Sequence, residues 1–154
     1  MLAQLHPIVV HFAVALLLVA PACDALGMLL HREALLHAGR WNTLLGAGAA
    51  VLAVLTGLGA ESVVDQGGAG LPLLQLHRAL GFLLAAIWVP VAAWRGSVSR
   101  VALPLRLRTV YLTLSFVGAA VVLVQAGLGS TLVYRHGVGL STSARLPPAA
   151  PRIK

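Results

Sequence analysis

From Pro7 to Leu30 the chain carries one charged side chain, Asp24, and otherwise almost only apolar residues. A run of that length has few ways to fold. A helix needs ~20 apolar residues to cross the hydrocarbon core of a bilayer, and a helix satisfies its own backbone there without help from water. Three more stretches read the same way, roughly Trp41–Val63, Leu71–Arg95 and Thr109–Tyr134. Composition agrees. Of 154 residues, 59% are hydrophobic and 10% charged, whereas a soluble domain carries about 25% charged residues. The expected fold is all-α: an integral membrane four-helix bundle, up-down-up-down, over residues 1–140, with a disordered proline-rich tail over 141–154.

Ala20-Pro21-Ala22-Cys23 resembles a lipoprotein cleavage site. No Lys or Arg precedes the first apolar run, however, as one does in a signal peptide, so the run is read as a retained span. The single cysteine, Cys23, excludes an intrachain disulfide and any cysteine-only metal or iron–sulfur site within the chain. The formal charge of +7 comes from arginines scattered among loop ends. No basic stripe with aromatics is present, so nucleic acid is not an expected partner; the charge suits topology and anionic headgroups.

Arg32, Arg40, Arg95, Arg100, Arg106 and Arg108 fall in or beside the links after the first and third spans. The link between the second and third spans has only Arg78. Positive residues stay cytoplasmic, so both termini are expected on the periplasmic side of a bacterial inner (cytoplasmic) membrane. Arg135, Arg145, Arg152 and Lys154 in the tail pull the other way.

Alternating spans gather most of the polar groups at one end. The start of the first span, the end of the second, the start of the third and the end of the fourth bring together His6, His11, Glu61, Asp65, His77 and His136. Histidine inside a membrane segment is costly and usually has a partner or a ligand. His11 lies one turn beyond Pro7, and His77 reaches a similar depth, about 6 Å at ~1.5 Å per residue. Spans one and three are expected to be diagonal, and Ala15 and Gly81 lie one turn further on the same faces. Two imidazoles facing each other over such a space suit the axial ligation of a b-type haem. In that reading His6, His136, Glu61 and Asp65 are supporting or proton-relaying groups.

Two other readings use the same residues. His6, His11, His77 and His136 with Glu61 or Asp65 would suit zinc, copper or iron in a non-haem site. Alternatively, acids and histidines hydrogen-bond one another and fix the helix ends, with no cofactor. His6 and His11 diverge by roughly 140° on an unbroken helix, but His6 precedes Pro7 and is expected to leave helical geometry there.

Elsewhere, Gly46, Ala50, Ala53 and Gly57 form a face of small side chains for close helix approach. Asp24 is expected to be a solvated or arginine-paired acid near the interface. Gln66–Gly70 is a flexible turn without phosphate-loop spacing. No serine–histidine–acid, zinc-protease or nucleophile-elbow spacing occurs, so no independent catalytic activity is expected. A transporter is disfavoured, as the chain has neither an inverted repeat nor a broken helix pair.

His6-Pro7-x-x-Val10-His11-Phe12, the acid after Gly57, His77 opening the third span, and Leu132-Val133-Tyr134-Arg135-His136-Gly137-Val138-Gly139 together resemble a bacterial family. It is the four-helix membrane family called domain of unknown function 2231, and the likeness reaches to about residue 140. Two departures concern helix geometry: Ala13-Val14 where the family has Pro-Ile, and Gly129-Ser130-Thr131 where it has a diglycine. The resemblance implies a membrane partner in periplasmic electron transfer, since relatives are joined to Rieske-type or cytochrome-like domains; it assigns no ligand roles. The expected function is a small cytochrome b-like subunit of a respiratory or photosynthetic complex, with His11 and His77 as haem ligands. The alternatives are an accessory structural subunit or a non-haem metal protein.

Overall fold

A computed structural model describes residues 2–62, 70–97 and 105–139. Four helices account for almost all of them: α1 (Leu2–Leu29), α2 (Glu33–Glu61), α3 (Leu71–Ser97) and α4 (Leu105–His136). All four are long and apolar enough to cross a membrane. The tail over 141–154 and Asp65 lie outside the described residues.

The helices extend further than hydropathy alone suggests. α1 begins at Leu2, so Pro7 sits inside the helix and His6 does not leave it. Pro21 and Pro90 are likewise inside α1 and α3. Each proline removes one backbone donor, a loss tolerated in apolar spans because the surrounding backbone has no better pairing in lipid. α2 starts at Glu33, so most of the expected polar link through Arg40 is helix. The chain turns instead at Leu30–Arg32. His31 adopts a left-handed φ of 52°, and the Arg32 N–H bonds the Gly27 carbonyl at 2.9 Å, closing α1 with a Schellman turn. At the far end, Gly137 takes φ 64° and the Val138 N–H folds back onto the Leu132 carbonyl at 3.0 Å. The His136-Gly137-Val138 part of the terminal motif is thus a helix stop.

The helices pack in a ring, α1 on α2, α2 on α3, α3 on α4 and α4 on α1, and neither diagonal pair packs backbone to backbone. Buried positions step by three and four along every helix: Ala13, Leu17, Ala20 and Asp24; Leu36, Gly39, Thr43, Gly46 and Ala50; Leu84, Trp88, Val91 and Arg95; Tyr111, Ser115, Gly118 and Val122. That average of 3.5 residues is the period of a left-handed bundle with interlocking side chains. On the opposite flank of α1, Leu5, Phe12, Val19 and Leu26 are exposed at the same period, as lipid-facing residues should be.

Small residues set the closest approaches. A Cβ at Gly46 would stand 2.6 Å from Leu17 Cδ2, and one at Gly27 2.9 Å from Leu36 Cγ. Gly46 and Ala50 of the expected small-residue face are buried, whereas Ala53 and Gly57 are partly buried beneath the first histidine of α1.

Candidate functional site

His6 continues the inward line of α1 one heptad, about two helical turns, before Ala13. Its Nδ1 lies 3.0 Å from the Ala53 carbonyl and 3.2 Å from Thr56 Oγ1. A carbonyl can only accept, so Nδ1 carries the proton and donates, leaving the Nε2 lone pair available. The ring lies over Gly57, whose Cβ would fall 3.0 Å from His6 Cε1.

His77 has a matching position on the diagonal helix α3. A Cβ at Gly129 of α4 would stand 3.1 Å from His77 Cε1. The Gln125 amide donates to the His77 carbonyl at 2.8 Å and lies 3.4 Å from its Nε2. His77 Nδ1 is buried and finds no partner within the protein.

His11 goes elsewhere. It is exposed on the outer flank of α1, with Nδ1 turned back onto the Pro7 carbonyl. Five residues along a helix rotate a side chain by roughly 140°, so unbroken helix through Pro7 sends His6 inward and His11 out. Ala15, one turn further, is exposed too. Gly81 does face inward, but Gln125 Nε2 stands 3.4 Å from where its Cβ would be. The expected pairing of His11 with His77 over a gap lined by Ala15 and Gly81 is therefore not what the fold assembles; His6 is the α1 histidine that turns inward at the end of the bundle where His77 lies.

Glu61 binds Arg78 of α3 at 3.0 Å. His136 is exposed and packs beside Gly70, with its Cβ 3.2 Å from a Cβ built there. Among the described residues, no three His, Cys, Asp or Glu side chains come together as a metal-binding group.

The other end of the bundle holds a network in which all four helices take part. Asp24 Oδ1 of α1 pairs with Arg95 Nη2 of α3 at 3.0 Å. The Tyr111 hydroxyl of α4 donates to Asp24 Oδ2 at 2.5 Å, and Thr43 Oγ1 of α2 lies 3.4 Å from that hydroxyl. Arg95 Nη2 also donates to the Leu36 carbonyl at 2.9 Å, and the guanidinium lies 5.8 Å from the centre of the Tyr111 ring. Trp94 meets the same ring edge-on at 5.9 Å, and Arg40 ties α2 to the Gly96 carbonyl at 3.0 Å.

Asp24, Thr43, Arg95 and Tyr111 are each 0% exposed. Asp24 is thus arginine-paired, as one of the expected alternatives had it, but in the core and not at a solvated interface. Arg95 is a core residue as well as a topological charge. The heptad line already contained the signal, since Ala20 leads to Asp24, Val91 to Arg95, and Tyr111 to Ser115 at four-residue steps. Gly39 is needed here because its Cβ would come 2.4 Å from Asp24 Oδ1.

Removing one partner from such a pair costs ~3–5 kcal/mol, although the pair itself adds little net stability over an apolar substitute. Its contribution is to set which layers of α1 and α3 stand level. Further orphans remain among the described residues: Trp88 Nε1, Arg95 Nε and Nη1, Ser115 Oγ and Gln125 Oε1 are buried without a partner in the protein. Each costs ~1–3 kcal/mol if left dry.

Long, largely apolar helices closed in a ring, each long and apolar enough to cross a membrane, define an integral membrane bundle. The chain belongs to the family described as predicted membrane protein (DUF2231), whose model matches residues 3–142. No curated protein and no solved structure matches it.

Proposed function

We infer that this chain is a small membrane redox subunit that holds a b-type haem between His6 and His77, as part of a larger electron-transfer assembly. The observation that carries the reading is the state of His6. A ligating histidine ordinarily donates its second ring N–H to a carbonyl, which holds the ring in place and leaves the other nitrogen free for the metal. His6 has that arrangement through Ala53. His77 supplies the second imidazole from the diagonal helix through Nε2, while its buried Nδ1 lacks the carbonyl partner that His6 has. His6 and His77 would hold the haem iron, and two imidazole donors suit that group. Ligation through His77 Nε2 asks the Gln125 amide to swing aside.

When bound, the haem would supply one-electron transfer. The chain's own part is to hold two neutral imidazoles away from water, with Thr56 and Ala53 orienting one ring and Gly57 and Gly129 making room for both. The arginine distribution supports a bacterial cytoplasmic membrane with this end at the periplasmic face. A respiratory or photosynthetic complex is the natural partner.

An optical spectrum of the purified protein, oxidised against reduced, tests this. A Soret band that shifts on reduction is expected, lost in His6→Ala and His77→Ala and retained in His11→Ala. Colourless protein without iron overturns it. That result would select the second reading, an accessory structural subunit without a cofactor. One observation favours that alternative: Gln125 and the two rings already occupy the room beside Gly81, Gly57 and Gly129.

A further inference from the structure

We propose that the interface between α3 and α4 carries a file of bound water joining the ion-paired end of the bundle to the histidine end, and that protons cross the membrane along it. The inference is independent of any haem. Among the described residues, every buried side-chain atom without a partner in the protein belongs to these two helices. They share one antiparallel register: His77 against Gly129, Gly81 against Gln125 and Trp88 against Gly118, then Arg95 against Tyr111. That register places Ser115 between the Trp88 and Arg95 layers, level with Val91.

The orphans therefore form a line and are not scattered. From Arg95 to His77 is about 27 Å at ~1.5 Å per residue, close to the ~30 Å of a hydrocarbon core. Buried polar groups in folded proteins are paired, with ordered water where the protein supplies no partner. Arg95, Trp88 and Ser115 are at most 1% exposed, so any water serving them is internal. Groups able to exchange a proton stand at both ends: Asp24 bonded to Tyr111, with Arg95 and Thr43 beside them at one, and His77 over Gly129 and His6 over Gly57 at the other. A proton needs only a hydrogen-bonded file, without the enclosed passage that a larger solute demands.

The line has one dry layer. Leu84 and Val122, 8% and 3% exposed, stand level in the same register between Trp88 and Gln125. An apolar constriction of this kind gates by dewetting. Water bridges it intermittently, which makes this layer rate-limiting.

Full-length protein in liposomes with an entrapped pH-sensitive dye, under a potassium diffusion potential set with valinomycin, reads the flux directly. Wild type should exceed protein-free vesicles by at least ~3-fold, and Val122→Thr, nearly isosteric but carrying a hydroxyl, should raise the flux further by a similar factor. Ser115→Ala, which removes an unpaired hydroxyl, should lower it by half or more in either background while circular dichroism reports intact helices. Flux equal to protein-free vesicles in both wild type and Val122→Thr overturns the proposal. So does a wild-type flux that neither Ser115→Ala nor Val122→Thr changes.

Discussion

Asp24 and Arg95 meet at 3.0 Å, each with a fully buried side chain, although their helices α1 and α3 lie on a diagonal and do not pack backbone to backbone. One hydrogen-bonded ion pair spans the interior where no backbone contact does. The Tyr111 hydroxyl occupies the second carboxylate oxygen, so one oxygen of Asp24 is served from the diagonal helix and the other from the neighbouring α4.

Breaking this pair from one side should be severe. Asp24→Ala leaves a buried guanidinium uncompensated and should cost ~3–5 kcal/mol, while the double variant Asp24→Leu with Arg95→Met should recover most of the loss. Thermal unfolding in detergent, followed by circular dichroism, measures both. Equal stability of Asp24→Ala and wild type would show that the pair is not buried as described.

Tyr111→Phe keeps the ring against Trp94 and removes only the hydroxyl. A hydrogen bond to a charged acceptor contributes ~1.5–3 kcal/mol, so this variant should fall between wild type and Asp24→Ala on the same scale. A loss as large as that of Asp24→Ala would place the main effect in ring packing.

The glycines divide by what a methyl group would meet. Gly39→Ala and Gly46→Ala drive Cβ to 2.4 Å from Asp24 Oδ1 and 2.6 Å from Leu17 Cδ2, and should destabilise by ~1–3 kcal/mol. Gly48 on the same helix has open space around its Cβ position, so Gly48→Ala should be neutral or stabilising by up to ~1 kcal/mol through helix propensity. Denaturation midpoints of the three variants, compared side by side, check the ranking.

At the histidine end, His6→Ala deletes an interhelical hydrogen bond to Ala53 and should lower stability by ~1 kcal/mol. His11→Ala, exposed and bonded only within its own helix, should change it far less. The order would reverse if His11 were the inward residue. Arg78→Ala removes a partner that is 48% exposed and should cost under ~1 kcal/mol.

Gln125→Ala separates the cofactor reading from a purely structural role. It frees His77 Nε2 and should raise haem uptake in reconstitution, seen as a larger Soret absorbance per protein. In a structural subunit the same change only removes the bond to the His77 carbonyl, and added haem leaves the spectrum unchanged.

Four spans, their alternation and the family were legible in the sequence. Hydropathy over ~20 residues reports bilayer thickness directly, and an even number of crossings assigns each polar residue to an end. His6, His77, Glu61 and His136 do lie at one end, and Asp24 and Arg95 at the other. Which way a side chain faces is a finer matter. Treating Pro7 as a helix start puts His11 inside; continuing the helix back to Leu2 rotates His6 in and His11 out. A proline is compatible with either, so local sequence could not choose, and packing against Ala53, Thr56 and Gly57 decided it. The Asp24–Arg95–Tyr111 network was likewise unreadable as a unit. Its members are separated by most of the chain, and an acid and an arginine near span ends look alike whether solvated or buried. Only the ring of four helices, drawn close by Gly39 and Gly46, shuts bulk solvent out of that layer and makes pairing obligatory.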